Sequence, residues 1–476
     1  MQARFIDKES VGVLPFQSTP KFQWILRTTL ILFEVISLQP GSKEARKMKK
    51  IEGWFFVLMA ISLVFSGCNR TRGDDSSGSS LLPTIAFNEA ILVGNPQGHP
   101  ADPFLATSGD GEVFVSWTEE SSGAEGRDGF IAKVKGGGQQ LAEIRQMNQE
   151  PISGHGGENL AKFALASDGG VAAIWSAVSH VHHAGTLKSV YGAVSGTFTP
   201  EETLNDDQGV TNHGFTGIAS GPDGRIYASW LDGRNDEEAA EVFMAISEDG
   251  GKSFGKNFQI STFACPCCRP TIAFLDGGET MIVAHRRFAT SSGYIVSDNV
   301  RDHQLIRSTD GGKTFSEPVL ISDDGWVTYG CPHAGIALDV DSQDMIHVVW
   351  WTGGRTPDEA GIYYASSEDG GRSFAPRQLI VQAPHDTVLH THITVDKNDT
   401  LYASWINIEE NRPQIFLAHR SAVTGQWSPI HRVSDGAWNT VYPVVTVDEE
   451  NLYVAWTERK GEDSQVRLRT ASLVDN

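Results

Sequence analysis

Apolar residues along this chain gather in short runs that end the same way. FVSW, AAIW, YASW, HVVW, YASW and YVAW close on Trp117, Trp175, Trp230, Trp350, Trp405 and Trp456. A seventh run, IVAH, closes on His285 in the widest gap. The spacings are 58, 55, 55, 65, 55 and 51 residues. Each run follows another short apolar stretch and a Gly/Asp/Asn turn, as in IASGPDGRIYASW. Two apolar stretches joined by such a turn predict a hairpin. A third strand follows, such as Glu241–Ile246, and then a fourth, such as Pro318–Ile321.

Four-stranded units at a fixed period predict a β-propeller, because each small sheet can bury its faces only against its neighbours. The fold class is therefore all-β, a single propeller over 84–476. The repeat count gives seven blades, with six as the alternative. The last unit runs out of chain after its third strand, Val466–Ala471. The stretch Ala86–Val93 can supply the missing outer strand and hide an open edge.

Composition changes the picture in two ways. A net charge of −21 argues against nucleic acid, which requires a basic surface. Gly at 49 residues agrees with many turns joining many strands. The N-terminal part reads separately. Residues 1–47 resemble neither a targeting signal nor a domain, which suggests that translation starts at Met48. Met48-Lys49-Lys50, an apolar run from Trp54 to Phe65 and Ser66-Gly67-Cys68 read as a signal peptide over 48–67. The ending resembles a bacterial lipobox, with Phe65 where that pattern has Leu. It implies lipidation at Cys68. The polar 68–83 then reads as a flexible tether. The expected location is the bacterial cell envelope, on the outer membrane and facing the periplasm or the surface. The expected state is a monomer.

Three units carry one motif after the third strand. SEDGGKSF holds Ser247, Asp249 and Gly251; STDGGKTF holds Ser308, Asp310 and Gly312; SEDGGRSF holds Ser367, Asp369 and Gly371. A degenerate copy begins at Ser421. Asp and Ser can tie the turn backbone, Gly allows positive φ, and the aromatic can pack between blades. This is the Asp-box, and through it the chain resembles the sialidase-like (BNR/Asp-box) propellers. The resemblance implies a glycan hydrolase or glycan-binding protein with a sialoside-like partner. Seven blades would depart from the six of that family's sialidases.

The family's catalysis uses three arginines on a carboxylate, a tyrosine nucleophile and an aspartate acid/base. A guanidinium fork suits a carboxylate because it meets both oxygens. The fourth unit, CRPTIAFLDGGETMIVAHRRF followed by RDHQLIRSTDGGKTF, is the best local match. It implies Arg269, Arg286 or Arg287, and Asp302. Arg355 and Arg234 are loop candidates for the third arginine, and TVYPVV makes Tyr442 the nucleophile candidate. Arg269 directly precedes Pro270, however, and Cys268 holds the family's arginine position. A one-residue slip on a strand turns a side chain over. Ordinary ion pairing is the plain alternative for all these arginines.

The stretch ACPCCRP places Cys265, Cys267 and Cys268 together. Counting back from the repeat position, His213, Cys268 and His333 each lie 17 residues before it, and Glu158 shares the offset. Cys331, His390 and His392 lie at other odd offsets, so regular inner strands would face all of them towards the axis. His155 and His99 fall near the same level. Two readings stay open. Exported cysteines form disulfides, with Cys267 or Cys268 joined to Cys331. Alternatively, Cys267, Cys268, Cys331, His213, His333, His390 and His392 hold copper or zinc. The run His180-Val181-His182-His183 is a further, weaker candidate whose plain reading is a solvated loop. Three functions compete: a sialidase-like glycan hydrolase or glycan binder, a non-hydrolytic propeller with an axial Cys/His metal site, and an envelope interaction scaffold.

Overall fold

The computed structural model describes residues 85–474, apart from 123–124, 153–160, 178–184, 209–210, 236–239, 289–298, 329, 331, 385–388 and 437. The described residues form seven antiparallel sheets of four strands each, within one compact unit, Leu81–Asn476. This is the β-propeller, and the six-blade alternative is corrected to seven. Blades 1 to 6 are consecutive in sequence. Their innermost strands are Ala101–Thr107, Lys162–Leu165, His213–Ser220, Thr271–Leu275, Ala337–Val340 and Thr391–Val395. Blade 7 begins at Asn439–Val447 and takes its outer strand, Ile91–Val93, from the other end of the chain. Ile91 pairs with Leu468 and Val93 with Val466, so the ring closes as the sequence implied.

The core lies between blades rather than within them. One apolar cluster joins Val93, Val115 and Trp117 to Tyr453 and Leu468 across blades 1 and 7. Another joins Leu275 and Leu305 to Val348 and Trp350 across blades 4 and 5. The six repeat tryptophans are all fully buried on the second strands. Each is large enough to fill the wedge between neighbouring sheets. Trp117 Nε1 donates to Glu119 and Trp230 Nε1 to Asp232, both two residues on, which satisfies the indole without water.

His285 fills the same place in blade 4. Its Nε2 lies 2.9 Å from Ser261 Oγ and 3.2 Å from Gln304 Nε2, and burial holds its pKa down at about 4.

The three Asp-boxes share one hydrogen-bond pattern. Ser247 Oγ donates to Asp249 at 2.7 Å, Gly251 N donates to Ser247 Oγ at 2.7 Å, and Ser253 donates to Asp249 through both N and Oγ. Ser308/Asp310 and Ser367/Asp369 repeat it. Gly251 has φ +97°, and Phe254 packs on Ala172 of blade 2 and Ile226 of blade 3. The boxes sit on the turns between third and fourth strands, on the face opposite the start of the inner strands. They fix blade geometry and stand away from the axial mouth.

Candidate functional site

The chain enters each inner strand on one face of the ring. Three inner strands are bulged at that end. Register shifts fall between Ala101 and Phe104, between Gly214 and Gly217, and between Val441 and Val444. Within them Asp102, Phe215 and Tyr442 hold φ of +57°, +53° and +54°. A bulge re-aims a side chain, and a non-glycine residue in the left-handed region stores strain that gathers at functional sites. The parity count assumed regular strands; of its residues His213 lies beyond such a bulge, so its offset from Trp230 does not fix the face it presents.

Tyr442 is the best placed of the candidates. Its ring meets the His390 ring edge-on, with centroids 4.5 Å apart. Arg459 stands over it at 5.7 Å and reaches Asp102 at 3.8 Å. The His333 carbonyl can only accept, so His390 Nε2 donates to it, at 2.7 Å. The His333 ring in turn packs on Phe215, with centroids 5.7 Å apart. Residues of blades 1, 3, 5, 6 and 7 thus form a continuous arc around the mouth.

Positive charge gathers around His392 on the inner strand of blade 6. Lys162 is buried and donates to Thr216 O at 2.5 Å. Burial, then the nearby charges of Arg269 and Lys162, push the His392 imidazole down to about 3. Its Nδ1 accepts from Val445 N at 3.3 Å, so the ring is neutral at physiological pH.

The remaining arginine candidates sit elsewhere on the same face. Arg287 Nη2 lies 3.2 Å from Asp302, whose side chain is fully buried. Burial, with the Asp324 carboxylate beside it, raises the Asp302 pKa above the usual carboxylate value. Arg355 is half-exposed and pairs with Asp323 at 2.9 Å. Arg234 is tied to Asp206, Asp207 and Asp232. Arg286 is fully buried and donates to Ala334 O, Arg301 O and Trp351 O, which makes it an architectural residue. Arg287 and Arg355 thus pair with different carboxylates, Asp302 and Asp323.

The cysteines divide from most of the histidines. Cys265, Cys267 and Cys268 are buried and not joined in a disulfide, on the connection from blade 3 to blade 4. Cys265 Sγ lies 2.9 Å from Cys268 Sγ and 3.8 Å from Cys267 Sγ. Arg301 Nη1 donates to Cys265 Sγ at 3.1 Å. Burial raises thiol pKa values, but hydrogen bonds from Cys267 and Cys268 and the charges of Arg301 and Arg286 bring Cys265 well below the usual thiol value. Burial and the neighbouring Cys265 hold Cys268 well above it.

Among the described residues these three sulfurs are the grouping that could hold a metal ion, all within 4.8 Å of one another. No disulfide occurs among the described residues, and Cys331 lies outside them. His213 belongs to a different network: its Nε2 faces Asp207 at 2.9 Å and its Nδ1 faces Gly185 O at 2.7 Å. His99 sits between blades 1 and 7, where Nδ1 lies 3.6 Å from Asp463. Cys68, His155, Glu158, His180, His182 and His183 also lie outside the described residues.

Sequence reasoning passed over Lys162, Arg301 and Arg459. None carries a motif, and only the ring geometry brings them to the mouth or the thiols.

No protein-family model matches the chain, and no curated protein matches it. Solved structures do resemble it. Polysaccharide lyase Uly1 is 12% identical, covers 79% of this chain and 91% of its own, and has a TM-score of 0.50. A protein of unknown function from Dyadobacter fermentans DSM 18053 is 14% identical, covers 83% of this chain and 100% of its own, with a TM-score of 0.49. Trypanosoma rangeli sialidase in complex with the inhibitor DANA is 10% identical, with 79% and 55% coverage and a TM-score of 0.44. At these identities the likeness is one of fold.

Proposed function

We propose that the chain binds an acidic glycan at its axial mouth and that Tyr442 and His390 carry the chemistry performed on it. The observation that supports this is the Tyr442–His390 contact on a left-handed bulge, under Arg459 and above Lys162 and Arg269. In a chain of net charge −21, cations gathered at one channel favour a carboxylate-bearing ligand over a neutral sugar. Aromatic rings beside them can stack on sugar faces.

Two reaction classes use such a pair. In sialidase-like hydrolysis a base-assisted tyrosine attacks the sugar. In elimination next to a uronate, a base takes the proton beside the carboxylate and the leaving oxygen departs protonated, which leaves a carbon–carbon double bond. The polysaccharide lyase of similar fold is a reason to test the second. Asp302 is the acid/base candidate of the first, and Arg287 and Arg355 would extend the subsite outward.

We read the protein as an exported glycan-processing propeller, held to the envelope by lipid at Cys68. The test is activity on a fluorogenic sialoside and on a panel of uronate polysaccharides, the second followed by ultraviolet absorbance of the new double bond. Turnover that falls about 100-fold or more in Tyr442→Phe, with binding retained, supports the reading. Neither turnover nor saturable binding of any acidic glycan would sink it.

A further inference from the structure

The thiol cluster is the built feature that glycan chemistry does not use. Cys265, Cys267 and Cys268 lie on one tight turn, where Cys268 N donates to Cys265 O at 3.4 Å. The turn is anchored by Cys265 N to Arg286 O at 2.8 Å. The backbone therefore presents three sulfurs to one point from a single loop, with no contribution needed from distant strands. All three are at most 2% exposed. A sulfur trio shielded this well is a soft-ligand pocket.

The charges around it select its occupant. Arg301 is buried, and among the described residues its side chain donates only to Cys265 Sγ. Arg286 is buried close by and is satisfied by three carbonyls, none of which neutralises it. Two buried guanidinium charges need compensation. A Cys265–Cys268 disulfide would give Arg301 only neutral sulfur to face and leave its guanidinium uncompensated. Three thiolates around one Cu(I) ion carry a net charge of minus two, which the two arginines balance. A Zn(II) ion would leave the site one positive charge in excess.

We propose that Cys265, Cys267 and Cys268 form a closed three-thiolate site for Cu(I), with Arg301 and Arg286 as its counter-ions. Three sulfurs about 2.3 Å from one ion and in a plane with it stand about 4.0 Å apart. Cys265 and Cys267 already stand at 3.8 Å, and the 2.9 Å Cys265–Cys268 approach opens when the ion enters. Binding releases the remaining thiol protons to solvent and changes no oxidation state, because copper arrives as Cu(I). The site lies behind Phe215, so it borders the axial mouth without opening into it. Its role is separate from glycan binding, and its histidine-free ligand set distinguishes it from the Cys/His cluster expected from sequence.

The test uses the full chain, purified without chelator and titrated with Cu(I) against a colorimetric Cu(I) chelator. Retention of one Cu(I) per chain, with X-ray absorption showing three sulfur neighbours and no nitrogen, is the expected result. Cys268→Ser should weaken retention at least 100-fold, whereas His213→Ala and His333→Ala should leave it within about threefold. If Cys268→Ser fails to fold, the sulfur count on the unmodified protein still decides. Failure of the reduced, folded chain to hold Cu(I) overturns the proposal. So does preferential retention of zinc, or recovery of a Cys265–Cys268 disulfide by peptide mapping of thiol-trapped protein. None of these outcomes bears on the acidic-glycan reading.

Discussion

Arg286, at the end of blade 4, donates to the backbone carbonyl of Trp351 in blade 5, with 3.0 Å between the atoms. The same guanidinium reaches Ala334 O and Arg301 O and packs on Trp326 at 5.0 Å. It therefore clamps a blade seam at the level of the candidate site. Arg286→Ala should destabilise the fold by about 3 kcal/mol or more, since charged hydrogen bonds are worth roughly 1.5–3 kcal/mol each and a cavity is added. The neighbouring Arg287 pairs with Asp302 and is partly exposed. Arg287→Gln removes the partner of the buried Asp302, but that carboxyl already has a raised pKa and can take up a proton, so the loss should be smaller than for Arg286→Ala. Urea denaturation of the two variants measures both. Equal losses would mean that Arg286 is not the clamp.

That contrast shows what the sequence could and could not reveal. The propeller was legible because the repeat tryptophan marks the same buried wedge in six blades, and because three Asp-boxes recur at one place in the repeat. The motif TVYPVV singles out Tyr442 in the sequence but not the bulge that carries it. Which of Arg286 and Arg287 faces inward was not, because each is polar and adjacent residues on a strand point oppositely.

Nor could the sequence reveal the bulges. Asp102, Phe215 and Tyr442 adopt left-handed φ without the glycine that usually announces it. Each bulge shifts every offset counted through it. Lys162 and Arg459 were missed for the same reason as Arg301: a lone cation has no pattern, and only ring closure brings blades 2 and 7 to a common axis.

The buried histidines set the first step of acid sensitivity. His285 and His419 are held at about 4 and His392 at about 3, chiefly by burial. The unfolded chain binds these protons near pH 6.5, whereas the folded chain refuses them. Stability should therefore decline as pH falls from about 6.5 to about 4.

A second step has the Asp-boxes behind it. Partial burial pulls Asp249 and Asp369 up, but hydroxyl and amide donors outweigh it and hold both at about 2. Thr314 and Ser308 hold Asp310 low as well. Depressed carboxyls contribute stability above their unfolded value near 4, and that contribution is lost as pH falls through 2. Chemical denaturation at a series of pH values should show both declines. His285→Gln should flatten the upper one and Asp249→Asn the lower. A single decline confined below pH 4 would contradict the histidine assignment.

Neighbouring glycines of one Asp-box should differ sharply. A Cβ on Gly251 would stand 2.4 Å from Ala172 Cβ in blade 2, at φ +97°. On Gly250, at φ +77°, its nearest neighbour would be Ala166 Cβ at 3.9 Å. Gly250→Ala thus costs only the left-handed strain, about 1–2 kcal/mol. Gly251→Ala adds an overlap between blades and should cost at least about 1–3 kcal/mol more. Thermal unfolding of the two variants tests this. Equal melting temperatures would show that the blades separate freely at this seam.

Ring closure rests on the strand Ile91–Val93, extended by a Phe87–Ala471 bridge and by Asn88 N donating to Thr470 O at 2.8 Å. Val93 is fully buried against Val466 and Trp117, while Leu92, between its partners, is half-exposed. Val93→Asp would bury a charge with no partner supplied and should destabilise by about 3 kcal/mol or more. Leu92→Asp faces solvent and should change stability by less than about 1 kcal/mol. Removal of the whole strand would bare the backbone of Asp463–Ser472, an edge ten residues long. An unpaired edge of that length templates pairing with another chain, so a chain starting at Asn95 should form higher-order species on size-exclusion chromatography. A shortened chain that ran as a folded monomer, with the stability of the parent, would show that blade 7 is complete with three strands and that closure from the N-terminal side is dispensable.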